Sequence, residues 1–218
     1  MIWSGGDPAW LGAVGRLEVP SQRYEDRQTR YYIEECSATL VKMPERRTTS
    51  VIVSAWHCLE GYRDLSRDIV FTLTGSGSQV GPLRARRVAS GGSMDADWAI
   101  LRLEKPLDLG ILPALALQTA HDELASVVTM AGYSRDAGRG AGGELLTYDR
   151  HCAVRSSSAA AVETDCQAHK GASGGAVTQQ SSSGEVLFAG VISEGNGEGI
   201  SRYVPLSKFR SALELALH

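Results

Sequence analysis

A serine between glycines, a histidine beside a cysteine and an aspartate before an apolar run are the residues of this 218-residue chain best suited to shared chemistry. The serine, Ser173, lies in Lys170-Gly171-Ala172-Ser173-Gly174-Gly175-Ala176-Val177. Glycines on both sides let the backbone bend tightly and leave no side chain over the hydroxyl. The same bend can turn the N–H groups of Gly171 and Ser173 toward one point, which suits the negative oxygen of a tetrahedral acyl intermediate. His57 closes Val51-Ile52-Val53-Ser54-Ala55-Trp56-His57-Cys58, an apolar β-branched run ending in an imidazole. Asp97 opens Trp98-Ala99-Ile100-Leu101. A carboxylate at the mouth of such a strand is largely buried and needs donors, for example an imidazole N–H. Asp97 is preferred to Asp95 because it directly abuts the apolar run. A serine hydroxyl needs a base within reach and a third group to fix the base's tautomer. The order histidine, aspartate, serine along the chain is one of the known orders for such a set. Each stretch taken alone also reads as a plain turn, a strand end or a strand start, since short motifs match by accident.

The elements that must hold these residues are short. Val/Ile/Leu-rich runs recur between Gly, Ser, Asp and Arg stretches, and long helical periodicity is scarce, which points to an all-β sandwich or barrel. Strands are expected over residues 11–19, 31–41, 51–55, 68–73, 83–88, 98–103, 127–133, 145–154 and 185–193. Residues 20–30 are polar and charged and read as a loop. Residues 105–113, with Pro106 and Pro113 as breakers, read as a connector. From Pro205 onward, Leu206, Phe209, Leu213 and Leu217 give a C-terminal helix one apolar face.

Composition narrows the function classes. The net charge of -3 argues against nucleic acid or a membrane surface as partner. No apolar run reaches the roughly 18 residues of a membrane span. The first residues, Met1-Ile2-Trp3-Ser4, show neither a basic nor an apolar leader region. The cysteines fall as two close pairs, Cys36 with Cys58 and Cys152 with Cys166, and no Cys-x-x-Cys occurs. Two disulfides and an oxidising compartment fit this better than zinc or a redox dithiol. His121, His151 and His169 have no ligand-like partners at close spacing, so no metal and no cofactor is expected.

Five stretches, in order, resemble the trypsin-like (chymotrypsin-fold) serine peptidases, and more their bacterial secreted members than the digestive enzymes. Ser54-Ala55-Trp56-His57-Cys58 resembles the family's Thr-Ala-Ala-His-Cys, and Cys36-Ser37-Ala38-Thr39-Leu40 its Cys-Gly-Gly-Ser-Leu. Asp97-Trp98-Ala99-Ile100-Leu101 resembles Asp-Ile-Ala-Leu-Leu. Gly171-Ala172-Ser173-Gly174-Gly175 resembles Gly-Asp-Ser-Gly-Gly, and Gly190-Val191-Ile192-Ser193-Glu194-Gly195 resembles Gly-Ile-Val-Ser-Trp-Gly. The resemblance implies two six-stranded antiparallel β-barrels with the active site between them, residues 1–112 carrying His57 and Asp97, and residues 113–218 carrying Ser173 and the C-terminal helix. It implies a monomeric, secreted or periplasmic endopeptidase with His57, Asp97 and Ser173 catalytic and Gly171 and Ser173 forming the oxyanion hole. An extended peptide or protein substrate would pair with Ser193, Glu194 and Gly195 by strand addition.

Departures matter too. Ala172 stands where the digestive enzymes carry an aspartate that pairs with a freed N-terminus, so that activation switch is not expected. Gln167, six residues before Ser173, occupies the place of the specificity aspartate of trypsin, whose basic-residue pocket is therefore not reproduced there; Glu194 or Glu198 are the remaining sources of negative charge. A catalytically silent or partner-activated binding module of the same fold is the alternative.

Overall fold

The computed structural model describes residues 1–6, 8–74, 79–119, 126–136, 138–158 and 160–218; His121 lies outside them. The expected β-branched runs are strands, several of them longer than the apolar segments alone suggest: β1 (Val14–Glu25), β2 (Gln28–Lys42), β3 (Thr48–Ser54), β4 (Ile69–Thr74), β5 (Gln79–Ser90) and β6 (Ala99–Asp108). These six close on themselves in the order β1-β4-β5-β6-β3-β2, with β2 pairing back to β1, and every pairing is antiparallel.

A second ring follows: β8 (Val127–Gly132), β9 (Thr147–Ser157), β10 (Val162–Thr164), β11 (Ala176–Gln180), β12 (Val186–Gly195) and β13 (Ser201–Pro205). It runs β12-β11-β8-β9-β10-β13 and returns to β12, again antiparallel throughout. Between the rings, β7 (Leu115–Leu117) pairs in parallel with both β2 and β12 and joins them into one continuous hydrogen-bonded system. The fold is all-β, with a short C-terminal helix, α1 (Arg210–Leu217).

Three expectations change. Residues 20–30 are not a loop but the far half of the β1–β2 hairpin, paired from Val14↔Thr39 to Glu25↔Gln28 around Asp26 and Arg27. Both turn residues have positive φ, 52° and 62°, the backbone twist that a two-residue hairpin loop demands. Residues 105–108 are not a connector but the end of β6, and Pro106 is accommodated within it. Pro205 ends β13 rather than starting a helix; a 3₁₀ turn, Leu206–Lys208, intervenes before α1.

The chain ends cross over. Residues 1–3 lie along residues 146–148 of the second ring, with Tyr148 N–H donating to Met1 O (2.8 Å) and Trp3 N–H to Leu146 O (2.9 Å). Helix α1 returns to the first ring: Arg102 Nη2 donates to Ala216 O at 2.5 Å, and Phe209 stacks on Trp98 at 5.4 Å between centroids while meeting Phe188 edge-on at 6.4 Å. Phe209 and Leu213 are buried, so the apolar face read from the sequence is the face that docks.

Truncating Phe209 removes both ring contacts and leaves a cavity between the rings. Phe209→Ala is expected to destabilise the protein by about 3–5 kcal/mol, read as a lowered urea midpoint with an unchanged m-value.

Candidate active site

The site starts from the buried end of β3. After Ser54 the chain turns into a 3₁₀ turn, His57–Leu59, whose Cys58 is bonded to Cys36 of β2. That bridge ties the turn carrying His57 to the adjacent strand. The imidazole is partly exposed, whereas Asp97, just ahead of β6, is fully buried at 0% exposure and Asp95 points to solvent. His57 meets Asp97 twice. Its backbone N–H donates to Oδ1 at 2.9 Å and its Nδ1 lies 2.8 Å from Oδ2. The Ser193 hydroxyl donates to the same Oδ2 at 2.5 Å.

These contacts set the protonation states. Burial pushes the Asp97 pKa up, but the His57 side-chain hydrogen bond and charge, the Ser193 hydroxyl and the His57 N–H together hold it below the usual aspartate range. Burial likewise pulls His57 down, yet the Asp97 hydrogen bond and charge, with smaller help from Glu34 and Glu194, leave its pKa raised. An ionised Asp97 at Nδ1 requires the proton there and leaves Nε2 as the basic nitrogen.

Ser173 sits on the loop before β11, and that loop is tied down carbonyl by carbonyl. Ser37 of β2 donates its N–H to Ser173 O (2.8 Å) and its hydroxyl to Gly171 O (2.7 Å) while accepting the Tyr133 N–H (2.8 Å). Arg135 N–H takes Lys170 O (2.6 Å), and Gly175 N–H takes Ala172 O (2.9 Å). Gly171 and Gly174 have φ of 91° and 84°, and a Cβ on Gly174 would overlap Ser37 O and Ser54 Oγ. Among the described residues no protein acceptor takes the N–H of Gly171 or of Ser173. The Ser173 hydroxyl donates to Ser193 O at 3.2 Å, and no hydrogen bond joins it to His57. The two side chains do share one cleft of about 560 Å³, lined by His57, Ser173, Ser193, Glu194, Gly195 and Arg202 among others.

The structure therefore gathers His57, Asp97, Ser173, Ser193, Glu194 and Gly195, but not Gln167. Gln167 is exposed, donates its N–H to Asp149 Oδ2 (2.9 Å) and lines a different cavity beside Asp149 and Asp136. Glu194 faces the cleft with its charge already met by Arg202 at 3.7 Å. Ser193, expected only on the substrate-pairing edge, turns its side chain to Asp97. The β12–β13 register slips between Ile192 and Glu194, and that bulge re-aims the residue between them. Ser37 was missed as a loop-holding residue; its one trace in the sequence is a hydroxyl where the resembled motif has glycine. Among the described residues, cysteines contribute to two clusters with metal-ligand spacing, Cys36/His57/Cys58 and Asp149/Cys152/Cys166, but all four are in disulfides and hold no free thiolate.

A chymotrypsin-type fold in which a buried Asp97 holds both the His57 imidazole and the Ser193 hydroxyl beside a cleft is the arrangement of a serine endopeptidase working through an acyl-enzyme. The family model of the trypsin-like peptidase domain matches residues 36–187, and the chain belongs to that family. No curated protein sequence matches it. Among solved structures it is similar to the thermostable serine protease AL20 from an extremophilic microorganism, at 18% identity and a TM-score of 0.66, covering 96% of this chain and 98% of that one. It is also similar to the serine endoprotease from Yersinia pestis, at 17% identity and a TM-score of 0.63, covering 96% of this chain and 64% of that one. The two disulfides fit an extracytoplasmic location. Among the described residues no helix is long and apolar enough to cross a membrane.

Two outcomes follow from this geometry. Because His57 must be neutral to act as base and its pKa is raised, kcat/KM is expected to climb with pH along an acid limb centred above the free imidazole value of about 6.5; a pH–rate profile measures it. Ser37→Ala, which frees Gly171 O, is expected to lower kcat by about tenfold to a hundredfold with little change in KM, as steady-state kinetics would show.

Proposed function

We propose that Ser173, not Ser193, is the nucleophile of this endopeptidase. The observation that carries this is the placement of the two hydroxyls around the imidazole. Ser193 is buried and donates to Asp97 Oδ2, on the Nδ1 side of the ring. Ser173 lies in the open cleft with His57, beside two unused N–H donors. A change of χ1 releases its hydroxyl from Ser193 O toward Nε2, and such catalytic hydrogen bonds commonly tighten only when substrate binds.

The reaction then runs in two halves. Ser173 Oγ adds to the scissile carbonyl carbon as its proton passes to His57 Nε2. The carbonyl oxygen becomes an oxyanion held by the Gly171 and Ser173 N–H groups. Collapse breaks the C–N bond, and the proton on Nε2 leaves with the amine. Water, deprotonated by the same Nε2, adds to the ester and releases the acid, restoring the Ser173 hydroxyl. Asp97 stays ionised throughout, steadying the imidazolium. An extended peptide pairs with the Ser193–Gly195 edge, as strand addition suits the end of β12. We further propose two halves, residues 1–112 and 113–218, with the site between them, in a secreted or periplasmic monomer. The Ser173–Ser193 hydrogen bond favours one competing reading, a module silent until a partner reorders the loop.

A fluorophosphonate label and hydrolysis of unfolded casein separate these. Ser173→Ala is expected to abolish labelling and cut kcat by about 10⁴-fold or more, while Ser193→Ala keeps the label and loses rate. A Ser173→Ala protein that is still labelled excludes Ser173 as the nucleophile, and wild type that is labelled only with an added partner supports the silent module.

A further inference from the structure

We propose that the slot which receives the side chain on the acyl side of the cleaved bond is closed by the protein's own backbone, so that cleavage follows glycine and alanine. The proposal rests on Ser173 being the nucleophile. With the scissile carbonyl at Ser173 and the peptide lying on Ser193–Gly195, that side chain must enter between two walls. One is the approach to the serine, residues 167–171; the other is the end of β12 and the turn after it.

These walls touch. Gly197 N–H donates to Ala168 O at 3.2 Å. A Cβ built on Gly195 would fall 2.8 Å from Ala168 Cβ and nearer still to Ala168 O; one on Gly197 would lie 2.8 Å from His169 Nδ1. A methylene between two walls needs roughly 3.5–4 Å on either side, hence a gap of about 7–8 Å. Gly195 lines the cleft, Gln167 and the buried Ala168 line the separate cavity behind, and His169 stands between the two as part of both walls.

The closed walls are held from several directions. Ser201 of β13, 1% exposed, donates its hydroxyl to Cys166 O (2.7 Å) and accepts the Ala168 N–H (3.0 Å). Cys166 is bonded to Cys152 of β9. On the opposite wall, Asn196 Oδ1 accepts the N–H groups of Glu198 (2.8 Å) and Ile200 (3.0 Å), drawing residues 196–200 into a compact turn. Charge gives no reason to open the slot for a basic residue, because Glu194 is paired with Arg202 outside it. Ser201 is thus a positioning residue for specificity.

Internally quenched peptides varied only at the residue before the cleaved bond test this, with Ser173→Ala as control. Glycine and alanine peptides are expected to exceed leucine, phenylalanine, lysine, arginine and glutamate peptides by about tenfold or more in kcat/KM; a higher value for any of the long residues overturns the proposal. Ser201→Ala is expected to raise the leucine-to-alanine ratio about threefold, and an unchanged ratio removes Ser201 from the lock. If wild type cleaves nothing, or Ser173→Ala cleaves as well, the nucleophile assignment fails, and the slot is judged separately. Benzamidine titrated into the Ser173→Ala protein is expected to give no saturable shift of the Ala168 and Gly195 amide resonances up to millimolar concentration; saturable binding there means the slot is open.

Discussion

A carboxylate with no exposure to water dominates the design of this molecule. Taking such a charge out of water costs several kcal/mol unless donors replace its hydration. Asp97 finds three: the His57 N–H, the His57 Nδ1–H and the Ser193 hydroxyl. They come from the turn after β3 and the end of β12, while Asp97 itself precedes β6. Satisfying one buried charge therefore forces three distant stretches of chain into a single arrangement. That arrangement also decides which imidazole nitrogen is basic.

The serine loop shows the complementary constraint, that of directing N–H groups by occupying carbonyls. Ser37 takes the Ser173 and Gly171 carbonyls, Arg135 that of Lys170, and Gly175 that of Ala172. Among the described hydrogen bonds, the N–H groups of Gly171 and Ser173 on that loop stay without a protein acceptor. Because Ser37 belongs to the first ring and Ser173 to a loop of the second, the docking of the two rings and the preorganisation of the site are one event. The crossed chain ends, residues 1–3 on the second ring and α1 on the first, reinforce that docking.

Much of the fold was legible because buried β-branched runs such as Val51-Ile52-Val53 have few other ways to bury themselves. What escaped did so for identifiable reasons. The far half of the β1–β2 hairpin is largely exposed, with no inside–outside alternation, so its strand character comes from backbone pairing rather than from apolar periodicity. β7 is three residues long and exists because it bridges two strands from different rings. β10 and β13 are similarly short and gain their order from closing a barrel.

The amino-acid sequence by itself determined the chemistry on offer: an imidazole, a carboxylate destined for burial, a hydroxyl freed by its glycine neighbours, and two cysteine pairs near enough along the chain to bridge. These follow from residue type and immediate context, which local physics controls. Tertiary structure alone decided which serine would serve the carboxylate, because a one-residue register slip in β12 turns the Ser193 hydroxyl to Asp97. It also moved Gln167 out of the cleft and brought Ala168 against Gly195. Such outcomes depend on strand register and on backbone groups meeting across the fold, and those groups are the same in every residue, so the order of side chains carries no mark of them.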